Sequence, residues 1–357
     1  MRSNIFSLIL IYILLNTVSA IACTSMIVSG SATASGRPLL WKHRDTSAES
    51  NFVHRVDTPG KLGYVGLFNG GDSLVLDEVW MGMNDAGFAI MNTVAYNLPK
   101  NDPDWTDREG YVMARALRNC RTVDDFEELL QQLPRPMGLR TNFGVIDAEG
   151  NGAYFETDDY NYKRYDLRDA QDGVMIRTNY AYSGTPDGGK GYVRHQNVVD
   201  LLAPQISTGS ITPASLTEGV SRSFYNAEHG FDFAETSDSE VFDNNFVPRY
   251  SSTSSIVVEG ILPGETPDCQ IMWTNIAYPP CCHVVPVRLD EVPAEVDATA
   301  SDGSARAPLA IEAAEYKALV FGGKTSSGQR RINLDTLRPI SEEEYQKSLE
   351  AYSRGRH

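Results

Sequence analysis

Cys23 stands where two reactive groups can share one residue. The stretch before it reads as a removable leader, with Arg2 at the start, an almost purely apolar run from Ile5 to Leu15, and Ser19-Ala20-Ile21-Ala22 as a small-x-small cleavage pattern. Cleavage after Ala22 would make Cys23 the first residue. Its thiolate would then be a strong nucleophile. A good fraction of its free α-amine, titrating near ~7.7–8.0, would be neutral at working pH and able to accept the thiol proton. No histidine is needed for that chemistry, which suits a chain whose six His are dispersed. Two other readings of Cys23 stay open on the residues alone. One is an ordinary buried or disulfide-bonded cysteine. The other is a lipid anchor, against which stand Ala20, where lipoprotein signals usually carry Leu, and the strand-like Thr24-Ser25-Met26-Ile27-Val28 in place of a polar tether.

The elements that must position this residue are strands first. Thr24–Ser29 and Pro38–Arg44 flank a small, polar turn, Gly30–Gly36. Further strand-like runs are 64–68, 79–83 and 88–94, with Asn84-Asp85-Ala86-Gly87 as a hairpin turn. The period then changes to helical over 108–120 and 123–133, with Thr122 as N-cap and Leu133-Pro134-Arg135-Pro136 as terminator. Strands resume at 142–147, 153–156 and 173–178. Helical stretches follow near 194–202 and 213–224, then strands at 254–262, 270–277 and 283–287. Residues 290–307 read as a mobile linker, and 341–353 as a terminal helix starting at Ser341. This order predicts an α+β fold of antiparallel sheets layered with helices.

Composition removes several function classes. A formal net charge of −16 with scattered Lys and Arg gives no attraction for nucleic acid or anionic membrane surfaces. No Cys-x-x-Cys occurs, so metal binding is not expected, and no Gly-x-Ser-x-Gly, His-Glu-x-x-His or phosphate-binding loop appears. No cofactor is expected. The five cysteines leave an odd one in an exported protein; setting Cys23 aside, Cys120, Cys269, Cys281 and Cys282 could form two disulfides, with Cys269 paired to one of the adjacent two.

Cys23–Val28, the turn after it and Leu40-Trp41-Lys42-His43-Arg44-Asp45-Thr46 resemble the start of the N-terminal-nucleophile (Ntn) cysteine hydrolases. That group includes penicillin V acylase, the choloylglycine hydrolases, the isopenicillin-N acyltransferases and a set of N-terminal-Cys dipeptidases. Gly82–Ile90 is similar to the family's Gly-x-Asn-x-x-Gly hairpin, with Asn92 following it. Arg177-Thr178-Asn179 is similar to its Thr-Asn motif, and Arg249-Tyr250-Ser251-Ser252 falls where acylases carry an active-site Arg. The resemblance spans Cys23 to Val287. It implies a four-layer αββα sandwich, an Asp45 that contacts the Cys23 amine, and an Asn179 that donates to the oxyanion with Asn92 or a backbone N–H. Arg249 would complete the catalytic set. The chain departs from its relatives at Lys42-His43-Arg44-Asp45; by position the basic residue next to the nucleophile is Lys42, with Arg44 as the alternative. Each residue also has a plainer reading: a turn cap for Asp45, a turn residue for Asn179, a polar strand position for Asn92, a surface ion pair for Arg249, solvated strand charges for Lys42 and Arg44.

The resulting expectation is an exported hydrolase or acyltransferase acting on linear amide C–N bonds of a small molecule. Residues 1–22 form the signal peptide, 23–290 the Ntn domain, and 291–357 a linker and helical extension packed on that domain. An N-terminal-Cys dipeptidase is the alternative within enzymes, and a lipid-anchored or disulfide-stabilised binding protein the alternative outside them. No membrane span is expected, and a homo-oligomer is left open. Loops at 52–70 and 96–105 carry aromatics that suit an apolar acyl group.

Overall fold

The computed structural model describes residues 22–100, 106–298, 305–324 and 329–355. The expected leader, apart from Ala22, lies outside them, as do Trp105 and part of the linker. Among the described residues, eighteen strands and five α-helices follow in chain order. Strands β1 (Thr24–Val28), β2 (Leu39–Asp45), β3 (Asn51–Val56), β4 (Tyr64–Asn69), β5 (Met81–Asn84) and β6 (Ala89–Val94) come first. Helices α1 (Glu109–Asn119) and α2 (Val123–Gln132) come next, then β7 (Thr141–Ile146), β8 (Gly152–Thr157), β9 (Tyr162–Asp166), β10 (Val174–Arg177) and helix α3 (Tyr192–Thr208). A π-helical turn over Ser215–Val220 precedes three short strands, β11 (Tyr225–Asn226), β12 (Phe231–Asp232) and β13 (Glu240–Phe242). The last elements are β14 (Ser252–Glu259), β15 (Ile271–Asn275), β16 (Val285–Val287), α4 (Pro308–Val320), β17 (Phe321–Lys324), β18 (Arg330–Asn333) and α5 (Leu334–Arg354).

Period-two patterning builds the two large sheets. One has six strands in the order β10-β1-β2-β14-β15-β16, the other seven in the order β3-β4-β5-β6-β7-β8-β9. All pairs within them are antiparallel. Successive side chains on the six-stranded sheet point to opposite faces. Ile27, Leu40, Ile256, Val258 and Met272 join Met91, Phe143 and Val145 of the other sheet in one core. Met26, Trp41, Val257 and Trp273 face the other way, onto Val198, Leu202, Leu216, Val220 and Tyr352 of the helical elements. Helices α1 and α2 press Val112, Met113, Phe126 and Leu130 onto the seven-stranded sheet. The result is the four-layer αββα sandwich.

Helix α2 starts where expected, on a capping box: Asp125 N–H donates to Thr122 Oγ1 (3.1 Å) and Thr122 N–H to the Asp125 carboxylate (3.0 Å). Elsewhere the structure corrects the reading. The expected strand at 64–68 is β4, but the rest of the expected pocket loop at 52–70 is β3 and the turn that joins the two, with Phe52, Tyr64 and Phe68 fully buried. The described part of the linker is pinned, since Val53 N–H donates to Val296 O (2.8 Å) and Val296, Ala305 and Ala307 are buried. The terminal helix begins seven residues before Ser341, at Leu334, because Asn333 caps it by accepting from Thr336 N–H (2.9 Å). All five cysteines are free, and Cys281 and Cys282 sit in apolar core where burial raises their thiol pKa values.

Candidate active site

The start of β1, the end of β2 and the start of β14 meet at one end of the six-stranded sheet. Cys23 lies there with its Sγ 3.9 Å from the Asp45 carbonyl oxygen, 4% exposed. Ala22, the residue before it, is buried, and its carbonyl accepts from Arg249 Nη2 (3.2 Å). The β1–β2 register pairs Thr24 with His43 and Ser25 with Lys42, so one further step sets Cys23 opposite Arg44. Alternation then decides the question of the basic residue: Lys42 and Arg44 both lie on the inter-sheet face, with Leu40, while His43 and Asp45 lie on the helix-covered face, with Trp41. Lys42 Nζ donates to Asn92 Oδ1 (2.6 Å) and Trp80 O (2.8 Å). Arg44 donates to Asn51 Oδ1 and Asn69 Oδ1 (2.8 Å each) and lies over the Trp80 ring at 4.9 Å. A negative Cys23 favours the charged form of both, as it does for Arg194 and Arg249.

Asp45 is fully buried and held at both oxygens, by Arg249 Nη2 at Oδ2 (2.5 Å) and Ser252 Oγ at Oδ1 (2.6 Å). Because Ser252 spends its proton on Asp45, its oxygen accepts from Arg249 N–H and from His43 Nε2, each at 2.8 Å. That fixes the His43 proton on Nε2 and leaves Nδ1 buried without a partner. Burial pushes His43 down to about 4, so it is neutral near pH 7. Arg194 closes the group from α3. Its Nη1 donates to Cys23 O and Thr24 Oγ1 (2.7 Å each), and its Nη2 to Asn179 Oδ1 (2.9 Å). Gly191, at φ +86° just before α3, leaves room for this: a Cβ there would stand 2.3 Å from the Arg194 guanidinium.

Asn179 is therefore a neighbour of Cys23, bridged by one guanidinium. It is also fully buried, with Nδ2 donating to Val94 O (2.9 Å), and not the rim of a solvent-filled cleft. Asn179→Ala should accordingly lower stability by about 2 kcal/mol, through the unpaired Val94 carbonyl and Arg194 guanidinium, besides any effect on rate. Denaturant unfolding checks this; an unchanged midpoint would show that water replaces the amide.

Asn92 has a different occupation from the one expected. Its oxygen takes the Lys42 proton and its nitrogen donates to Glu109 Oε2, so it bridges two buried ionisable groups. Burial, with Asp107 nearby, pushes Glu109 up to about 8, and burial pushes Lys42 down to about 7. A carboxyl ordinarily ionising at 4.5 but kept protonated to about 8 stabilises the fold fully below 4.5, progressively less above it, and not at all past 8. Glu109→Gln cannot ionise. Its melting midpoint relative to the parent should rise between those pH values and level off above them. A difference that does not change with pH would refute the assignment.

The sequence reading brought Cys23, Asp45, Asn179, Arg249, Arg44 and Asn92 forward, and the fold gathers them at or beside this end of the sandwich. It missed Ser252, Arg194 and Glu109. Two of these carried a signal: Glu109 shares its helix stripe with Val112, Met113 and Ala116, and Arg194 with Asn197, Val198 and Leu202, so each is a charge on a buried face.

Residues 78–206, about a third of the chain, match the family described as acyl-coenzyme A:6-aminopenicillanic acid acyl-transferase. The stretch includes Asn92, Glu109, Asn179 and Arg194, and not Cys23 or Asp45. No curated protein sequence matches the chain. It is similar to several solved structures. One is a mutant of the conjugated bile acid hydrolase from Clostridium perfringens, 12% identical, with TM-score 0.46 over 76% of this chain and 93% of that one. Another is the Caenorhabditis elegans ortholog of N-acylethanolamine-hydrolyzing acid amidase, 13% identical, with TM-score 0.44 over 68% and 94%. A third is penicillin V acylase from Agrobacterium tumefaciens, 13% identical, with TM-score 0.40 over 76% and 87%.

Proposed function

We propose that this chain, an Ntn-type amidohydrolase or acyltransferase, acts on linear amides through Cys23 once the bond to Ala22 has been cut during export. The observation that carries the proposal is the convergence of Cys23, Asp45, Arg249 and Asn179 on one end of the sandwich, with Arg194 tying Cys23 to Asn179 and Arg249 tying Asp45 to the Ala22 carbonyl. Removing Ala22 takes away the carbonyl that Arg249 holds and leaves an α-amine in its place, beside the Asp45–Arg249 pair. The positive charges of Arg194 and Arg249 oppose a protonated amine at rest, and the Asp45 carboxylate stabilises the ammonium once it forms.

Cys23 Sγ attacks the amide carbonyl as the amine takes the thiol proton, through a water. The tetrahedral oxyanion is met by Asn179, whose Nδ2 has one acceptor among the described residues, Val94 O, and so a second N–H to give. The ammonium returns its proton to the leaving amine, and a thioester remains. Water cleaves it in a hydrolase; an acceptor amine takes the acyl group in a transferase.

The test is an intact mass of the exported protein together with a screen of N-acyl amides, β-lactams, bile salt conjugates and dipeptides. Cys23 as first residue, with amine released from a linear amide, supports the reading. Release from dipeptides alone moves the substrate class to peptides. A diacylated or otherwise blocked Cys23 overturns the reading.

A further inference from the structure

At the same end of the molecule, two strands beyond Cys23, a cavity of about 240 Å³ opens between the start of β14, the end of β15 and the alanine-rich face of α4. That is below the ~300–1,000 Å³ of pockets that take a whole small-molecule ligand, so it suits one functional group. Arg330 and Lys317 line it, both beside Tyr250, with the guanidinium 3.5 Å and the ammonium 4.7 Å from the ring centre. Among the described residues Arg330 has no acidic partner. Lys317 is buried and reaches only Glu49, at 3.5 Å, whose side chain is half exposed. Burial lowers the Lys317 pKa, which is the response of an ammonium short of counter-charge. Tyr278 and Thr253 also line the cavity; each is 1% exposed, and neither hydroxyl has a partner. Both hydroxyls are sealed from solvent, so they belong to the wall of the cavity and the two cations are what it offers to a ligand.

In a chain of net charge −16, two under-paired cations on one small cavity are a local reversal of sign. The geometry points to a carboxylate subsite, at which Arg330 and Lys317 hold the anionic end of the substrate whose amide lies at Cys23. The cavity is also lined by Ser252, which hydrogen-bonds Asp45, so it abuts the candidate catalytic group. Strand spacing of about 4.8 Å sets the span from Cys23 on β1, across β2, to β14 and β15 at roughly 10–14 Å. A flexible acyl chain of medium length covers that. The assignment to substrate rests on Cys23 being the nucleophile; the assignment of a carboxylate site does not.

The experiment has two arms on the processed protein. In the first, the melting midpoint is followed with butyrate and with butyramide at constant ionic strength. Butyrate should raise it saturably, by about 2–4 °C, butyramide should not, and Arg330→Gln should remove the difference. Equal shifts from both compounds, or an Arg330→Gln variant that responds as the parent does, would overturn the site. In the second arm, acyl amides of growing chain length are compared with their ω-carboxylated counterparts. Arg330→Gln should cut the ratio of kcat/KM for carboxylated over methyl-ended substrates by ~10-fold or more at the best length. A butyrate shift with no change in that ratio overturns the substrate assignment and gives the site to a separate small acid. If no amide is cleaved at all, the proposed function fails, and the butyrate arm still decides the subsite.

Discussion

Cys23→Ala will reduce amide turnover by ~10³-fold or more while leaving the fold in place. The side chain lost is small and its only hydrogen bond is a long one, Sγ to Asp45 O at 3.9 Å, so the stability cost should stay near ~1 kcal/mol. Its surroundings do not depend on the sulfur, since Arg194 grips the Cys23 carbonyl and Arg44 is held by Asn51 and Asn69. Cys23→Ser should lose nearly all turnover too, because a hydroxyl is the weaker nucleophile at neutral pH. Mass spectrometry of the enzyme caught during turnover should show an acyl adduct on the peptide that starts at residue 23. Turnover by Cys23→Ala at a tenth of the parent rate or above would place the chemistry elsewhere.

Asp45→Ala should be the most damaging change to the site's architecture. Its carboxylate is buried between Arg249 and Ser252, and its removal leaves a largely buried guanidinium without its counter-ion. Breaking such a pair from one side costs about 3–5 kcal/mol. The double variant Asp45→Ala, Arg249→Ala should recover part of the stability and none of the turnover, because it removes the stranded charge without restoring the group that steadies the ammonium. Asp45→Asn separates the roles further. It keeps the shape and should lower kcat with little change in KM. An unchanged kcat with a raised KM would make Asp45 a substrate contact.

How much of this was legible before the structure varies by element for physical reasons. The strands of the six-stranded sheet could be read because alternation survives burial on both faces: Leu39, Trp41 and Val257 go one way, Leu40, Ile256 and Val258 the other. The strand at 64–68 was legible, but its partner over 51–56 was taken into a pocket loop because Pro59-Gly60-Lys61 follows it; the turn belongs to a hairpin whose strands carry Phe52 and Phe68 into the core. The disulfide expectation failed because cysteine counts say nothing about distance, and Cys281 and Cys282 serve as core residues. Cys23, Asp45, Asn179 and Arg249 were found by motif. Arg194 and Glu109 were overlooked because a single charge on an apolar helix stripe looks like noise until its partner, contributed from a distant part of the chain, comes into view.

The hold of Arg249 on the Ala22 carbonyl has a consequence for timing. A processing peptidase needs several residues of extended chain around the bond it cuts. Here the two residues that flank the bond are 2% and 4% exposed, with β1 fixed in mid-sheet directly after them. On the proposed processing, the cut at 22–23 has to come before the sandwich closes, because the closed fold shields both residues of the junction. Maturation would then be a race between translocation and folding, in which chains that fold first stay uncut.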